Sequence, residues 1–336
     1  MFPFTRRLLL LVITAVALAA CQTSSPPAKS VAAPANVAPT GNVAVVTTPA
    51  LVAVDSVVKL VPTPKHIKIG LALGGGAARG FAHVGVIKAL EAQGIDAEIV
   101  AGTSAGSVVG ALYAAGNSGY ALQKIAMEMD EATISDWTVP LFATSTGVLK
   151  GQGLQNFVNK AVHQLPIEKL KKTFGAVATD LNSGQAILFR RGNTGAAVRA
   201  SSAVPGVFQP VKVGERLYVD GGLVAPVPVA YAREMGADFV IAVNISASPD
   251  LQASTSSLNV LMQTFSIMGQ TINLHELKGA DIVIRPELAE MKGNDFAGRN
   301  TAMLAGERAA MLAMPEIKRK LKELQESKDA AALKMP

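Results

Sequence analysis

EIVAGTSAGSVVG, residues Glu98–Gly110, carries the strongest structural signal in this sequence. Its apolar residues Ile99–Ala101 predict a short strand, and Ala105–Ala115 predicts a helix that follows almost at once. The connection between them has the pattern G-x-S-x-G, with Ser104 at its centre. On a strand-to-helix turn this pattern is typical of a nucleophile elbow, in which a serine is held exposed on a sharp turn. Ser104 is therefore the candidate nucleophile.

The small residues around Ser104 have a steric purpose. A sharp turn brings backbone segments close together, and Gly102, Gly106 and the short side chain of Ala105 leave room for it. At the first turn of a helix, free N–H groups and the helix dipole stabilise negative charge. We therefore expect Ser104 to lie where negative charge can develop.

Strands and helices alternate on both sides of this elbow. The alternation predicts an α/β fold with a mostly parallel central sheet and helices on both faces. The predicted strands are His66–Leu73, Glu98–Ala101, Phe174–Asp180, Gln185–Arg190, Arg216–Val219, Phe239–Asn244 and Asp281–Arg285. The predicted helices are Arg79–Gln93, Ala105–Ala115, Tyr120–Glu131, Gly153–Val162, Val229–Met235, Leu258–Leu277 and a terminal helix.

A glycine-rich turn, Gly74, Gly75 and Gly76, follows the first predicted strand and precedes a helix. Such a turn directs backbone N–H groups toward an anion. A dinucleotide is disfavoured, because the G-x-G-x-x-G pattern counted from Gly74 places Arg79 where the last glycine belongs. No acidic residue ends the next strand to bind a ribose either. The turn is better suited to the oxyanion of an acyl-transfer intermediate.

A third block, Asp220, Gly221 and Gly222, follows the predicted strand Arg216–Val219. A carboxylate at the end of a strand and beside two glycines is expected to face a cleft and not the core. Taken alone, the same triplet is also consistent with a plain turn.

In this order, the three blocks resemble the patatin-like phospholipase family. Arg79–Val86 resembles the helix after that family's oxyanion loop, and Arg199–Phe208 resembles a segment that its bacterial members carry before the aspartate. The resemblance extends from about Ile67 to Asn244. Five blocks in the right order are a far more specific signal than any one of them.

The resemblance implies a three-layer patatin-like fold and a serine-dependent lipid acyl hydrolase that needs no cofactor. It implies that Ser104 is the nucleophile, that Asp220 is the base of a Ser–Asp dyad, and that the Gly74–Ala77 backbone forms the oxyanion hole. Arg79 would help to order that loop. One departure is that Ala77 stands where the family has its third glycine, which would strain the backbone if the turn requires a positive φ there.

Two alternatives remain at this point. A hydrolase triad runs in the order Ser, Asp, His, and Ser104, Asp220 and His275 have that order, although His275 lies in a predicted helix. The chain could also be a non-catalytic envelope lipoprotein that binds lipid or a partner. No His, Cys and Asp spacing suits a zinc site, and we predict no metal.

The N-terminal part has the features of an exported lipoprotein. Arg6 and Arg7 precede an apolar run that ends at residue 20, which predicts a signal peptide over residues 1–20. Leu18–Cys21 resembles the bacterial lipobox, which makes Cys21 the expected lipidation site. Residues 21–64 are rich in Pro, Ala, Thr and Ser and are expected to form a flexible tether before a hydrolase domain over residues 65–336. Gln22 favours an outer-membrane location facing the periplasm, by resemblance to that class of lipoprotein.

The composition agrees with a packed α/β domain next to a membrane. Hydrophobic residues make up 49% of the chain and aromatic residues only 5%, and the formal net charge is +6. Much of the excess lies on the terminal helix, where a solvated face is a simpler interpretation than a site for acidic lipids. Export and the lack of interleaved aromatic residues argue against nucleic acid. The expected partners are thus a lipid or ester substrate and a membrane.

Overall fold

The computed structural model describes residues 66–129, 149–247, 256–288 and 291–333. By its internal contacts the chain divides into Met1–Lys59 and Leu60–Pro336, and every described residue belongs to the second unit. The expected signal peptide, Cys21 and the tether therefore lie outside the described residues.

Eight strands of the described residues form one sheet, in which hydrogen-bonded neighbours follow the order β5-β6-β3-β2-β1-β7-β8 and β4 pairs with β3. Strands β3, β2, β1, β7 and β8 run parallel, whereas β4, β5 and β6 pair antiparallel. The strands are β1 Ile69–Leu73, β2 Ile99–Thr103, β3 Thr173–Asp180, β4 Ala186–Phe189, β5 Val211–Val213, β6 Arg216–Asp220, β7 Phe239–Val243 and β8 Ile282–Ile284.

Helices cover both faces of the sheet. The described α-helices are α1 Phe81–Ala92, α2 Ala105–Ala114, α3 Gly119–Glu128, α4 Gln152–Ala161, α5 Thr194–Ser201, α6 Val229–Glu234, α7 Ser257–Glu276 and α8 Arg299–Leu333. Because side chains alternate along a strand, Leu71 and Leu73 pack in one core with α1, α2, α3 and α8, whereas Ala72 packs in another with α6. The result is the expected three-layer α/β architecture.

Side-chain caps fix where several helices begin. The Ser118 hydroxyl accepts from the N–H of Ala121 at 3.3 Å at the start of α3. The Asn193 side chain accepts from the N–H of Ala196 at 2.7 Å at the start of α5. Such caps satisfy N–H groups that have no partner inside the helix, and so they stop the helix from starting elsewhere.

Strands β2 and β6 lie along the same edge of β3, as their shared pairing residues show. Ala178 and Thr179 pair with both β4 and β6, so β4 and β6 lie on opposite edges of β3. Ala176 and Val177 pair with both β2 and β4, so β2 and β4 also lie on opposite edges. It follows that β2 and β6 lie along the same edge, β2 beside the first part of β3 and β6 beside the last.

The sequence prediction of a mostly parallel sheet is confirmed for the strands from β3 to β8 in the sheet order. The predicted strands Phe174–Asp180 and Gln185–Arg190 correspond to β3 and β4, which pair antiparallel. Strand β5 was not predicted, because Val211–Val213 is too short to show a period. The antiparallel pairing of β6 with β3 was not predicted either, and it shapes the site described below.

The basic side chains of the terminal helix form a solvated face. Most of them face glutamates four residues away, at 2.7 Å for Arg319 and Glu323 and 3.2 Å for Lys320 and Glu316. Lys318 instead donates to the Gln93 side chain at 2.7 Å. Exposed pairs of this kind contribute little to stability, but they account for these charges without an acidic ligand.

Candidate active site

The expected strand-to-helix turn is present around Ser104. Strand β2 ends at Thr103, α2 begins at Ala105, and Ser104 between them has φ +51 and ψ −123. A non-glycine residue at positive φ is strained, and such strain is often found at functional sites. A Cβ added to Gly106 would lie 2.1 Å from the carbonyl oxygen of Leu73, and one added to Gly102 would lie 2.5 Å from the oxygen of Gly106. Both glycines are therefore required sterically.

The backbone of Ser104 is held by hydrogen bonds from both sides. Its N–H donates to the hydroxyl of Ser201 at 2.9 Å, and that hydroxyl donates to the carbonyl of Val177 at 2.6 Å. Its carbonyl accepts from the hydroxyl of Ser107 at 2.7 Å. Ser201 thus links the elbow to β3. The sequence flagged its surroundings, Arg199–Phe208, only by resemblance and assigned this side chain no role.

Asp220 ends β6 and lies buried, with 6% of its surface exposed. Its Oδ1 accepts from the N–H of Gly222 at 2.7 Å. Its Oδ2 is buried and no hydrogen bond of normal length reaches it, yet the Ser104 hydroxyl is near enough to lower the carboxyl pKa. Burial outweighs both bonds and raises the pKa of Asp220 to about 6. Oδ2 is thus left able to accept a hydrogen bond.

The register of the sheet brings Ser104 and Asp220 together. Thr103 of β2 pairs with Val177, and Asp220 of β6 pairs with Ala178, the next residue of β3. Because β2 and β6 approach along the same edge from opposite directions, their C-terminal ends meet. The side chain of Thr179 donates to the carbonyl of Asp220 at 2.8 Å and fixes that end of β6.

The glycine turn lies directly over Ser104. A Cβ added to Gly75 would lie 3.2 Å from the Cβ of Ser104. The N–H of Gly74 donates to the carbonyl of Val243 at 3.1 Å, and that of Gly75 donates to the carbonyl of Pro226 at 3.0 Å. Both bonds hold the turn against β7 and against the segment that follows Asp220.

Those two bonds correct the predicted oxyanion hole. The sequence predicted that the whole Gly74–Ala77 backbone would contribute, but the N–H groups of Gly74 and Gly75 already have acceptors. The N–H groups of Gly76 and Ala77 have no acceptor among the described residues. Ala105, the residue after Ser104, has a similarly open N–H at the start of α2. The available donors are therefore Gly76, Ala77 and Ala105.

Arg79 supports the turn but is not one of the N–H donors available to an oxyanion. Its own N–H bonds back to the carbonyl of Gly76 at 3.1 Å. Its guanidinium donates to the carbonyl of Met291 at 3.4 Å, and the N–H of Ala78 donates to Gly293 at 2.9 Å. These contacts tie the turn to the segment that begins at Met291, which agrees with the ordering role that the sequence suggested for Arg79.

Ala77 has φ +49, so the departure from the family pattern has the consequence that the sequence predicted. We expect Ala77→Gly to raise the free energy of unfolding by about 0.5 kcal/mol, since the gain from relieving a left-handed alanine exceeds the added chain entropy. Ala77→Val should lower it by at least about 1 kcal/mol, because a branched side chain fits this conformation poorly. Urea unfolding of the three proteins measures both changes. Equal stabilities for the glycine and valine variants would contradict the strain.

His83 anchors the turn from below. It is fully buried on α1, and its Nε2 donates to the carbonyl of Gly74 at 2.8 Å. Because a carbonyl can only accept, Nε2 carries the proton and Nδ1 is the free acceptor. Burial lowers the pKa of His83 to about 4, so the ring is neutral near pH 7. The bond from His83 to the glycine turn was not predicted from the sequence.

His275 does not join the site. It lies on α7, is exposed, and makes no hydrogen bond to Asp220, whose Oδ1 is occupied by Gly222. Within the described ranges, no three His, Cys, Asp or Glu side chains are grouped as a metal site requires.

The described chain is thus an α/β protein with a nucleophile elbow. Its strained serine lies beside a buried carboxyl and under a glycine turn that has open N–H groups. Residues 71–233 match the family model described as "Patatin-like phospholipase". Over this stretch the chain is similar to the patatin-like phospholipase family.

Similar proteins occur in a bacterium and in a mammal. An "Uncharacterized NTE family protein" of Mycobacterium tuberculosis is 38% identical over 201 residues, which cover 60% of this chain and 55% of that protein. "Patatin-like phospholipase domain-containing protein 6" of Mus musculus is 34% identical over 196 residues, which cover 56% of this chain but 14% of that protein. The chain thus spans about half the length of the mycobacterial relatives, and less of the mouse protein.

Among solved structures, VipD from Legionella pneumophila is similar to the chain with a TM-score of 0.44 and 16% identity. The match covers 79% of this chain and 67% of that one.

Proposed function

We propose that this protein is a serine-dependent lipid acyl hydrolase that uses Ser104 and Asp220 as a catalytic dyad. The observation that carries the proposal is that Thr103, just before Ser104, and Asp220 pair with consecutive residues of β3, under the glycine turn, with the Ser104 hydroxyl near enough to lower the pKa of the Asp220 carboxyl. Similarity to the patatin-like phospholipase family supports a lipid ester as the substrate class.

The first half of the proposed reaction acylates the serine. Asp220, ionised, takes the proton from the Ser104 hydroxyl as the serine oxygen attacks the ester carbonyl. The negative charge on the former carbonyl oxygen is stabilised by the N–H groups of Gly76, Ala77 and Ala105, which are already oriented before the reaction. When the intermediate collapses, the ester C–O bond breaks and the alcohol leaves with the proton held by Asp220.

The second half releases the acid. Water gives a proton to Asp220 and attacks the acyl-Ser104 carbonyl, and the same N–H groups stabilise the new oxyanion. Collapse breaks the bond to the serine oxygen, which recovers its proton from Asp220. One ester and one water thus give one acid and one alcohol. This chain's own groups supply nucleophile, base and charge stabilisation.

A fluorophosphonate probe tests the proposal directly. An activated serine attacks its phosphorus and stays labelled, so Ser104 should carry the label stoichiometrically and Ser104→Ala should carry none. Ser183, exposed in the β3–β4 hairpin, is a matched serine that should remain unlabelled. An unlabelled Ser104 in a folded protein would favour the alternative of a non-catalytic lipoprotein.

The pKa of Asp220 predicts the pH dependence. The base works only when ionised, and its pKa is about 6, so kcat/KM should fall about tenfold per pH unit below pH 6. An unperturbed histidine base would give a fall of kcat/KM at about pH 6.5, which is close to that of Asp220. The temperature dependence of this acid limb must therefore be measured as well. A carboxyl pKa changes little on warming, whereas an imidazole pKa falls. A limb that moves clearly to lower pH on warming would contradict the dyad.

Helix α7 favours a lipid over a small water-soluble ester. It has no charged side chain from Ser257 to Leu274, and large apolar side chains on it are exposed, among them Val260, Ile267 and Leu274. Its Gly269 approaches Pro226, the residue whose carbonyl holds the glycine turn. An uncharged apolar helix beside the site suits contact with a phospholipid surface.

We further propose that the protein is attached to a bacterial envelope membrane. The expected location is the outer membrane, with the protein facing the periplasm. No helix in the described part of the chain is both long and apolar enough to cross a membrane. The proposal rests on the lipobox-like sequence that ends at Cys21.

Cys21→Ser should move the protein out of the membrane fraction, since the acyl chains on Cys21 would provide the anchor. Fractionation followed by immunoblotting measures this, and the variant should accumulate as a soluble or unprocessed form. Ser104→Ala serves as the control, because it should stay with the membranes. A mature-sized Cys21→Ser protein that remains in the membranes would contradict lipidation at this residue.

A further inference from the structure

One peptide group of the glycine turn is held from two sides, and His83 provides one of the two bonds. The carbonyl of Gly74 accepts from Nε2 of His83 at 2.8 Å, and the N–H of Gly75 donates to the carbonyl of Pro226 at 3.0 Å. Both the carbonyl and the N–H belong to the same planar peptide group. Together the two hydrogen bonds fix the orientation of that plane.

We propose that His83 is a positioning residue of the oxyanion hole. By holding the Gly74 carbonyl, it sets the direction of the open N–H groups of Gly76 and Ala77. The inference rests on the proposed function, because these N–H groups stabilise charge only if an oxyanion forms at Ser104. His83 acts from behind the turn, since it is fully buried and its bond goes to a backbone carbonyl.

The turn depends on such an anchor because its own residues restrict it little. Three consecutive glycines have no side chains, so their backbone torsions are the least restricted of any residue type. The open N–H groups of Gly76 and Ala77 lie in the two peptides that follow the anchored one. Only the torsions of Gly75 and Gly76 separate these donors from it. Without the anchor, both donors would be free to tilt away from the oxyanion.

Helix geometry explains why the side chain of residue 83 reaches the turn. His83 is the third residue of α1, and side chains on an α-helix lean toward its N-terminus. The glycine turn lies just before that end, separated from it by the short 3₁₀ helix Ala77–Gly80. Helix α1 has little room to move, because a Cβ on Gly85 would overlap the carbonyl oxygen of Met303 on α8. The ring is thus held in place against Gly74.

The buried ring carries a cost that packing alone does not require. The Nδ1 of His83 is buried and has no hydrogen-bond partner among the described residues. A buried acceptor without a donor lowers stability, and an apolar side chain of similar size would avoid that cost. The same substitution would leave the Gly74 carbonyl without its donor. Because these two effects oppose each other, we expect the main contribution of the ring to be the geometry of the turn.

His83→Leu is the main test, because it keeps the core apolar but removes the donor to Gly74. Displacing a reacting group slightly costs about 10²-fold and losing a whole oxyanion donor about 10²–10³-fold, so kcat for p-nitrophenyl butyrate should fall about 10- to 100-fold. KM should stay within about threefold, since the donors act mainly on the transition state. The midpoint of urea unfolding should change little.

His83→Gln is the conservative variant that should restore activity. Its side-chain NH₂ can donate from the position of the imidazole Nε2, so kcat should return to within about fivefold of the parent. If His83→Leu does not fold, His83→Asn takes its place, because the shorter amide matches Nδ1 and does not reach the Gly74 carbonyl. Unchanged kcat in the folded leucine or asparagine variant, or an equal loss in His83→Gln, would overturn the inference.

Ile87→Val is the matched control on α1. It shortens a buried side chain one turn further along the helix, so it should lower the urea midpoint but keep kcat within about threefold of the parent. A trifluoromethyl ketone, which forms an oxyanion adduct with a serine, gives a second measure. It should bind His83→Leu less tightly by the factor by which kcat/KM falls, whereas its affinity for Ile87→Val should not change.

Nuclear magnetic resonance separates this inference from the proposed reaction. Isotope-labelled Ser104→Ala protein cannot form an acyl-enzyme, so its spectra report the turn alone. We expect the Nε2–H tautomer of His83, and His83→Leu should shift the amide resonances of Gly76 and Ala77 more than Ile87→Val does. If the ring is the other tautomer, or these resonances do not move, the inference fails whatever the hydrolysis assay gives. If they move and the parent cleaves no ester, the proposed reaction fails and the hold of His83 on the turn stands.

Discussion

Replacing Ser104 with alanine is expected to lower kcat/KM for ester hydrolysis by at least about four orders of magnitude. The substitution removes the oxygen that would form the acyl-enzyme, and the N–H groups of the turn alone cannot replace a nucleophile. The fold should remain intact, since Ser104 is buried at 9% exposure but the change removes a single oxygen atom and leaves only a small void. Kinetics with a p-nitrophenyl ester and urea unfolding on the same protein measure both parts.

The matched control for this variant is Ser183→Ala, which removes the same oxygen from the exposed β3–β4 hairpin and should keep activity within about threefold. Substantial hydrolysis by folded Ser104→Ala would refute the assignment of the elbow serine, because another nucleophile would then have to account for the activity.

Asp220→Asn is expected to have two opposite effects. Activity should fall about 10²–10⁴-fold, because the amide cannot take the proton of Ser104. The free energy of unfolding at pH 7 should rise by up to about 3 kcal/mol. Burial raises the carboxyl pKa to about 6, so at pH 7 the charged form of Asp220 destabilises the folded protein, and asparagine removes that charge. The amide oxygen can still accept the bond from Gly222.

The sign of this effect follows from proton linkage. A folded-state pKa above the unfolded value means that the folded protein binds the proton more tightly between pH 3.8 and about 6. The contribution of Asp220 to stability is therefore most favourable below pH 3.8 and is lost as pH rises through 6. The stability difference between Asp220→Asn and the parent should be largest near pH 7 and should shrink toward pH 4. A difference that does not change with pH would contradict a buried, perturbed carboxyl.

His275→Ala distinguishes the dyad from the triad in the same experiment. His275 is exposed on α7 and has no bond to Asp220, so its loss should change kcat/KM by less than about threefold. If folded His275→Ala is as inactive as Ser104→Ala, the protein depends on a histidine and the Ser–Asp dyad is refuted.

Much of the candidate site could be predicted from local sequence because its causes are local. Gly102 and Gly106 make the elbow possible by leaving room for neighbouring backbone, and the strand and helix on either side follow from short apolar patterns. The glycine turn and the Asp220 block were found in the same way. Their assembly into one site was predicted only through resemblance to a family.

The prediction was wrong where partners are distant in sequence. Gly74 and Gly75 were expected to be oxyanion donors, but their N–H groups bond to the carbonyls of Val243 and Pro226. Ser201, which holds the backbone of Ser104, was assigned no role. Nothing in the local sequence around the turn or the elbow indicates which distant groups will bond to their backbone N–H groups.

The sequence by itself determined the elbow, the glycine turn, the alternation that gives a three-layer fold, and the alanine at residue 77 where the family has a glycine. Only the tertiary structure decided that Ser104 meets Asp220, and which N–H groups remain open. The physical reason is the register of β3. Thr103 pairs with Val177 and Asp220 with Ala178, so one strand aligns two ends that are remote in the chain. The same packing buries Asp220, which raises its pKa.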